Sequence, residues 1–298
     1  MEYVTRIAPS PTGMMHFGTA RTAYFCWLAA KATGGQFILR LDDTDTERNK
    51  PETIQPIYDG LKWLGLDWDR FERQSQRTSI YKAEAERLLE HGFAFRADNG
   101  AIILNWQDFM PRSWRDEVAD RIPITDTNIE QINGRTVLLR GGDKLGEPTY
   151  QFASVIDDYL MSVNFIIRGT DHITNTAKQL AIWSAIQKCD DRDQLHGAPP
   201  PKFAHVGLIF KDKKKMSKRD GAASLLDYRD RGYSPDALLN FMLRLGWGPR
   251  EDNKENSIIG KDKAIRMFLT EGSMRNTNAN FDQAKLDWFQ KVYSRKAA

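Results

Sequence analysis

Residues 3–45 read YVTRIAPSPTGMMHFGTARTAYFCWLAAKATGGQFILRLDDTD, and this stretch decides the fold. Residues 3–8 read as a short strand, and a proline-stiffened loop, Pro9 to Gly13, follows it. From Gly18 to Thr33 apolar side chains occupy most of the helical circumference, which predicts a helix buried against a sheet. Gly34-Gly35 is a stop signal. QFILRL then predicts a second strand, ending in the acidic run Asp42-Asp43-Thr44-Asp45. Strand, loop, helix and strand in that order make a βαβ unit and hence a parallel sheet. In such sheets the loops at the carboxyl ends of the strands carry the ligand site.

Outward from this unit, residues 51–65 and 79–91 predict two more helices. Between residues 94 and 149 the character changes. Short apolar runs (AIILN, TVLLR), several glycines, Trp106 and Trp114 predict a separate, mixed insertion. Alternation of helix and strand resumes with FASVIDDYLMSVNFIIRG and the helix NTAKQLAIWSAIQKC. Ala198-Pro-Pro-Pro201 is a rigid turn into the strand FAHVGLIF. Beyond a basic loop at 211–219 the pattern is helical to the end, most clearly over Leu238–Leu245 and Lys285–Tyr293. The expected architecture is α/β: a nucleotide-type sheet split by a small α+β insertion and followed by a short helical C-terminal domain.

The 298 residues suffice for two domains, or one with a large insertion, and for a core that needs no staples. Two cysteines, Cys26 and Cys189, exclude a disulfide framework, a four-cysteine zinc site or an iron–sulfur cluster built by this chain alone. They suit a reducing cytosol, and Cys26 reads as core filler. No run approaches the ~18 apolar residues of a membrane span, and the N-terminus has no apolar secretory core. With a net charge of only +3, any polyanion site must come from local clusters.

Three such clusters stand out. PSPTGMMHFG, Pro9 to Gly18, joins a strand to a helix N-terminus, where unpaired amides and the helix dipole favour anions. There His16 can donate to a phosphate, and Gly18 lets a planar group approach the backbone. The plainer reading is a stiff loop with one capping histidine. Neither G-x-G-x-x-G nor the G-x-x-x-x-G-K-[ST] phosphate loop is present. Second, KDKKKMSKR, Lys211 to Arg219, has six basic residues out of nine. It reads as a solvated charge run or as a loop that closes on a triphosphate. Third, Arg6 and Arg168 lie on or at the end of predicted strands. Two guanidinium forks suit an acidic substrate, unless they are spent on Asp42, Asp43, Asp157 or Asp158. No histidine has ligand spacing with a second histidine or a cysteine, so no protein-built metal site is expected. No serine, histidine and acid can be linked by spacing, so nucleophilic catalysis has no support.

TRIAPSPTGMMHFGTART and KMSKR together resemble the signatures of a class I aminoacyl-tRNA synthetase, and more closely those of the glutamyl-tRNA synthetase family. LKWLGLDWD, YKAEAERLLEHGFAF, PTYQFASVIDDYLM, IIRGTDHITNTAKQ, the long run from FAHVGLIF to LGWGP, and FDQAKLDW extend the likeness. The resemblance implies a Rossmann-type catalytic domain in two halves, 1–93 and 150–210. Between them, 94–149 would be a shortened acceptor-end-binding insertion. Residues 211–298 would hold the KMSKR loop and a helical domain that contacts the tRNA stem. It implies that Gly13, His16, Gly18, Gly207, Leu208, Lys215, Ser217, Lys218 and Arg219 bind ATP, with His16, Lys215 and Lys218 in catalytic roles. It implies that Arg6, Ala8, Ser10, Asp42, Tyr150, Arg168 and Asp171 bind glutamate. ATP with Mg²⁺ but no zinc, tRNA acceptor end and inner stem, a cytoplasmic location and a monomer are the matching expectations. Asp42 stands where the family usually has glutamate, the insertion lacks the cysteines some relatives use for zinc, and relatives continue beyond FDQAKLDWFQKVY into an anticodon-binding domain. Two alternatives accompany this reading: a truncated paralogue moving glutamate onto a modified tRNA base, and a non-catalytic relict that binds RNA or a partner.

Overall fold

A computed structural model describes residues 1–45, 47–105, 111–127, 129, 136–189, 198–211, 214–216, 224–250 and 258–297. Strand β1, Val4–Ile7, leads into helix α1, Phe17–Thr33, which ends at Gly34 with φ 69°. Strand β2, Gln36–Leu41, lies parallel to β1, with Arg6 opposite Ile38. After α2, Ile54–Trp63, strand β3, Arg70–Arg73, joins the far edge of β2, also parallel, and α3 follows at Thr78–Glu90. The intervening segment holds β4, Ala94–Arg96, β5, Ile102–Leu104, β6, Ser113–Asp116, β7, Asp120–Pro123, and β8, Val137–Leu139. Then come α4, Tyr150–Leu160, β9, Phe165–Gly169, α5, Ile173–Cys189, β10, Lys202–Val206, β11, Ile209–Lys211, and β12, Lys214–Lys215. The C-terminal part has α6, Leu225–Asp230, α7, Pro235–Arg244, β13, Trp247–Pro249, α8, Lys261–Met267, β14, Gly272–Met274, β15, Ala279–Asn280, and α9, Gln283–Ala297.

The main sheet is a doubly wound, Rossmann-like one in two halves. One half runs β1-β2-β3 and the other β7-β6-β10-β9. They abut along β1 and β9, where the Asn164 amide donates to the Val4 carbonyl (3.1 Å) and its side chain accepts from the Val4 amide (2.9 Å). Chain order reverses at this seam, so the carboxyl ends of β1 and β9 face one crevice. The apolar girdle of α1 is spent inside the protein. Tyr24, Phe25, Cys26 and Leu28 are wholly buried, and Phe17 meets Phe281, Tyr228 and Phe241 edge-on at 5.2, 5.4 and 5.8 Å.

Three expectations change. The 94–149 segment is not wholly separate: its β6 pairs parallel with β10, Asp116 opposite Phe203, and so extends the main sheet. FAHVGLIF is not one strand. It breaks at Gly207-Leu208, where a Cβ on Gly207 would lie 2.0 Å from the Thr277 carbonyl oxygen. The C-terminal part is not purely helical, because β13 pairs with β14 and β15 pairs with β11. Strands of two or three residues are too short to show a period of two.

Side chains alternate along a strand. Ile7, Phe37, Leu39 and Ile167 pack around α1, which sends Arg6, Arg40 and Arg168 to the opposite face. All three are buried there. Helix α4 meets that face with consecutive carboxylates, which point about 100° apart. The two oxygens of Asp158 accept from Arg6 Nε (3.0 Å) and Nη2 (3.2 Å), and one of them also from Arg40 Nη1 (2.6 Å). Asp157 turns toward α3 and accepts from Arg77 Nε (2.6 Å), Tyr81 Oη (2.8 Å) and Gln74 (2.9 Å). Burial pushes the Asp158 carboxyl up, but the Arg6 and Arg40 charges outweigh it and hold its pKa below the ordinary 3.8.

The variant Asp158→Asn keeps the shape and removes the shared anion. Leaving the buried Arg6 guanidinium unmatched, and Arg40 with Asp42 and the more distant Asp157, is expected to cost ~3–5 kcal/mol at neutral pH. Because the folded pKa is depressed, the stabilisation is complete above the unfolded value and disappears as pH falls through the lower folded one. Urea unfolding should therefore show a gap between wild type and variant that is full at neutral pH and closes below about pH 4. A gap that persists unchanged into strong acid contradicts this assignment.

Candidate active site

A cavity of about 330 Å³ opens at the carboxyl ends of β1 and β9. Arg6, Ala8, Ser10, Gly13, His16, Gly18, Tyr150, Arg168, Asp171 and Leu208 all line it. These residues come from β1 and the loop after it, the first turn of α1, the start of α4, β9 with the turn after it, and the break between β10 and β11. The basic run reaches the same space. The Lys215 backbone pairs with Phe210 in the β11–β12 ribbon, and the Met216 amide donates to the Ile209 carbonyl (2.9 Å). Met216 and Ile209 both line the cavity. The Lys215 side chain, Ser217, Lys218 and Arg219 lie outside the described residues. The two stretches that carry the nucleotide signature, nearly 200 positions apart, thus converge on one cavity.

His16 caps α1. Its Nδ1 accepts from the Gly18 amide (3.1 Å) and the Thr19 amide (3.3 Å), which leaves the ring proton of the neutral imidazole on Nε2, 3.2 Å from Thr19 Oγ1. A Cβ on Gly18 would sit 3.1 Å from the His16 ring. The planar group that Gly18 admits is therefore this imidazole. The helix end still presents a positive dipole to the cavity, with a histidine fixed across it.

The pocket arginines differ in how they are balanced. Arg6 is matched by Asp158. Arg40, behind it, is matched by Asp158 and by Asp42, whose Oδ1 accepts from Arg40 Nε at 2.8 Å. Burial drives the Asp42 carboxyl up to about 6 in spite of that pairing. Asp42 is 6% exposed and does not line the cavity. Arg168 has no carboxylate in contact among the described residues. Its Nε donates to His205 Nε2 (3.1 Å), Nη1 to Gln179 Oε1 (2.7 Å) and Nη2 to Thr176 Oγ1 (2.7 Å). Burial without such a partner lowers its pKa to about 10, which leaves it cationic at neutral pH. His172, beside it in the wall, is pushed down to about 4 by burial and by Arg168, and so adds no second charge.

Gly207 does not line the cavity, and its backbone is engaged elsewhere. Its amide donates to the Arg275 carbonyl (2.9 Å) and its carbonyl accepts from Arg21 Nη2 (2.6 Å). The Leu208 amide donates to Asn278 Oδ1 (2.9 Å) and its carbonyl accepts from the Ala279 amide (2.8 Å). A base that used the Leu208 amide would have to turn Asn278 aside. Arg21 was not singled out by the sequence, although a cation inside an otherwise apolar helix was the available signal. It lines the cavity and donates to the carbonyls of Gly207 and Leu245 (2.5 Å), and burial lowers its pKa to about 10. Among the described residues no group of three or more His, Cys, Asp or Glu side chains could hold a metal, and no helix is long and apolar enough to cross a membrane.

The model of the class I tRNA synthetase catalytic domain for glutamate and glutamine matches residues 2–105 and 102–288. The glutamate–tRNA ligase of Aquifex aeolicus is 37% identical over 98% of this chain and 67% of its own length. That of Nostoc sp. is 35% identical over 97% of this chain and 66% of its own. A crystal structure of a glutamate tRNA ligase from Elizabethkingia meningosepticum, in complex with its amino acid, superposes with a TM-score of 0.79 at 26% identity, covering 99% of this chain and 70% of that one. This chain spans about two thirds of the length of the curated relatives. Fold, converging signature loops and sequence relationship agree: the chain belongs to the class I tRNA synthetases for glutamate and glutamine.

Proposed function

We propose that the chain activates L-glutamate with MgATP to glutamyl-adenylate and transfers the glutamyl group to the 3′ end of tRNA(Glu). The observation that carries this reading is Arg168, a buried cation with no contacting carboxylate among the described residues, facing a cavity that both nucleotide-signature stretches enter. A substrate anion is what would complete it. Arg6 stands on the neighbouring strand, and together the two guanidinium groups receive the carboxylates of a dicarboxylic amino acid. Glutamine opposes an amide NH₂ to those N–H donors and leaves them badly paired on burial.

In this reading the α-carboxylate oxygen of glutamate attacks the α-phosphorus of ATP. The bond from that phosphorus to the bridging oxygen breaks, and pyrophosphate leaves with the electron pair. The protein supplies no nucleophile. It aligns the reactants and neutralises charge on the leaving phosphates. His16 Nε2–H and the amino end of α1 face those phosphates, and Lys215 and Lys218 are assigned to neutralise their charge. The terminal ribose hydroxyl of tRNA then attacks the acyl carbon, and AMP departs. Mg²⁺ enters bound to ATP, and no zinc is assigned. Residues 94–149 are placed against the acceptor end and 211–298 against the inner stem, with a monomer and a cytoplasmic location completing the proposal. Asp42 would serve the substrate amino group only from behind Arg40, one methylene short of the usual reach.

Pyrophosphate exchange with glutamate and with glutamine, each with and without total tRNA, tests the reading. Exchange with glutamate alone among the two supports it, and an acid-stable glutamyl bond in the anticodon arm would replace it with base modification. Arg168→Gln is expected to raise the KM for glutamate by ~100-fold, the scale of one lost charged contact, while the KM for ATP stays within a few fold. Lys218→Ala should lower kcat far more than it raises the KM for glutamate, because its charge acts on phosphates late in the displacement. An unchanged kcat with a raised KM contradicts that role. Asp42→Glu should improve the use of glutamate, read as a lower KM, and a loss of activity would show that the pocket has adapted around aspartate.

A further inference from the structure

Arg168 is held by three residues that do not line the cavity. His205 lies directly opposite it on the neighbouring strand, β10 against β9. A guanidinium has five N–H bonds, and here three are held: by His205, by Gln179 and by Thr176. One N–H on each terminal nitrogen is left for a ligand. The bond at Nε requires a bare His205 Nε2, since a protonated Nε2 would set N–H against N–H. The ring proton must then sit on Nδ1, and Nδ1 faces Asp116 Oδ2 at 2.6 Å. The other oxygen of Asp116 accepts from the Val118 and Ala119 amides, both at 2.9 Å, and the His205 amide lies 3.2 Å from Oδ2. Every group around this carboxylate is a donor, so an acceptor is needed on both of its sides. Asp116 and His205 are 1% and 0% exposed, which shields the arrangement from water.

We propose that Asp116 and His205 are positioning residues for glutamate activation: Asp116 pins His205 in the Nδ1–H form, and its bare Nε2 orients Arg168 toward a substrate carboxylate. The proposal rests on the reading of this cavity as the glutamate site. It also gives the inserted segment a part in amino-acid recognition. Asp116 ends β6 within 94–149, and β6 is tied to β10 by the parallel pairing of Asp116 with Phe203. The charge of Asp116 therefore reaches Arg168 through an imidazole, from the inserted segment whose β6 extends the second half of the sheet. That route holds the guanidinium without occupying its outward N–H bonds.

Two kinds of substitution separate aiming from packing. In Asp116→Asn the side-chain oxygen stays on the Val118 and Ala119 amides and the NH₂ faces His205, which drives the ring proton to Nε2 against Arg168. His205→Gln keeps an oxygen able to accept from Arg168, whereas His205→Leu does not. The experiment is glutamate-dependent pyrophosphate exchange in the presence of tRNA, with ¹⁵N-histidine NMR and thermal melts of the same proteins. Expected results are an Nδ1–H signature for His205 in the wild type and Nε2–H in Asp116→Asn. The KM for glutamate should rise about tenfold or more in Asp116→Asn and His205→Leu, with kcat and the KM for ATP nearly unchanged. His205→Gln should restore the KM for glutamate to within about threefold of wild type. A wild-type Nε2–H signature overturns the proposal. So does an unchanged KM for glutamate in Asp116→Asn, or a loss spread equally over glutamate, ATP and kcat in step with the melting temperature. A wild-type protein without glutamate-dependent exchange refutes the glutamate-site reading itself, and the aiming role falls with it.

Discussion

A single buried carboxylate, Asp158, sets the geometry on which the rest depends. It stands on α4, yet it balances Arg6 on β1 and Arg40 on β2, residues 152 and 118 positions away. Buried charges cost several kcal/mol apiece unless they are paired in good geometry, so these three groups cannot drift apart independently. The pairing locks α4 over the face opposite α1 and holds the start of that helix, where Tyr150 lies, at the cavity mouth. Arg77 and Asp157 extend the same network to α3. Arg6, Arg40 and Arg77 are matched by Asp42, Asp157 and Asp158, and this local neutrality is what makes Arg168 stand out.

The sequence carried the parts of the fold that repeat over many residues. The βαβ unit was legible because α1 is long, apolar around its circumference and ended by two glycines. The strands QFILRL and IIRG were legible from their apolar runs. Their period of two also implies that Arg6, Arg40 and Arg168 share a face. It does not say which of them is spent on a carboxylate, because Asp158 arrives from a helix that local periodicity cannot place in space. Arg6 turned out to serve both readings at once, lining the cavity while paired to Asp158.

What escaped the sequence has a common cause: it depends on a partner distant in the chain. Asp116 gives no local sign that its strand joins the main sheet, since a single register pair with Phe203 makes the connection. The break at Gly207 is imposed by the Thr277 backbone lying against it. Arg21 is held by two carbonyls, one of them 224 positions away. Asp42 carries the acidic character expected of a site residue, but Arg40, two positions earlier on the same strand face, captures its carboxylate.

Arg168 and Arg21 share a feature that stability alone does not account for. Both are buried, both line the cavity, and both are held by neutral acceptors, with no carboxylate in contact among the described residues. An arrangement selected only for stability would pair such cations or replace them with apolar side chains of similar volume. Neutral acceptors fix a guanidinium without cancelling its field, and the low local dielectric makes that field strong. One cation sits by the carboxyl end of β9, and the other lies one turn into α1, just beyond its positive amino end. The cavity therefore carries one cation on its β9 side and another on its α1 side. A ligand with a carboxylate at one end and phosphates at the other matches that distribution, and joining those two groups is the chemistry the cavity is shaped to favour.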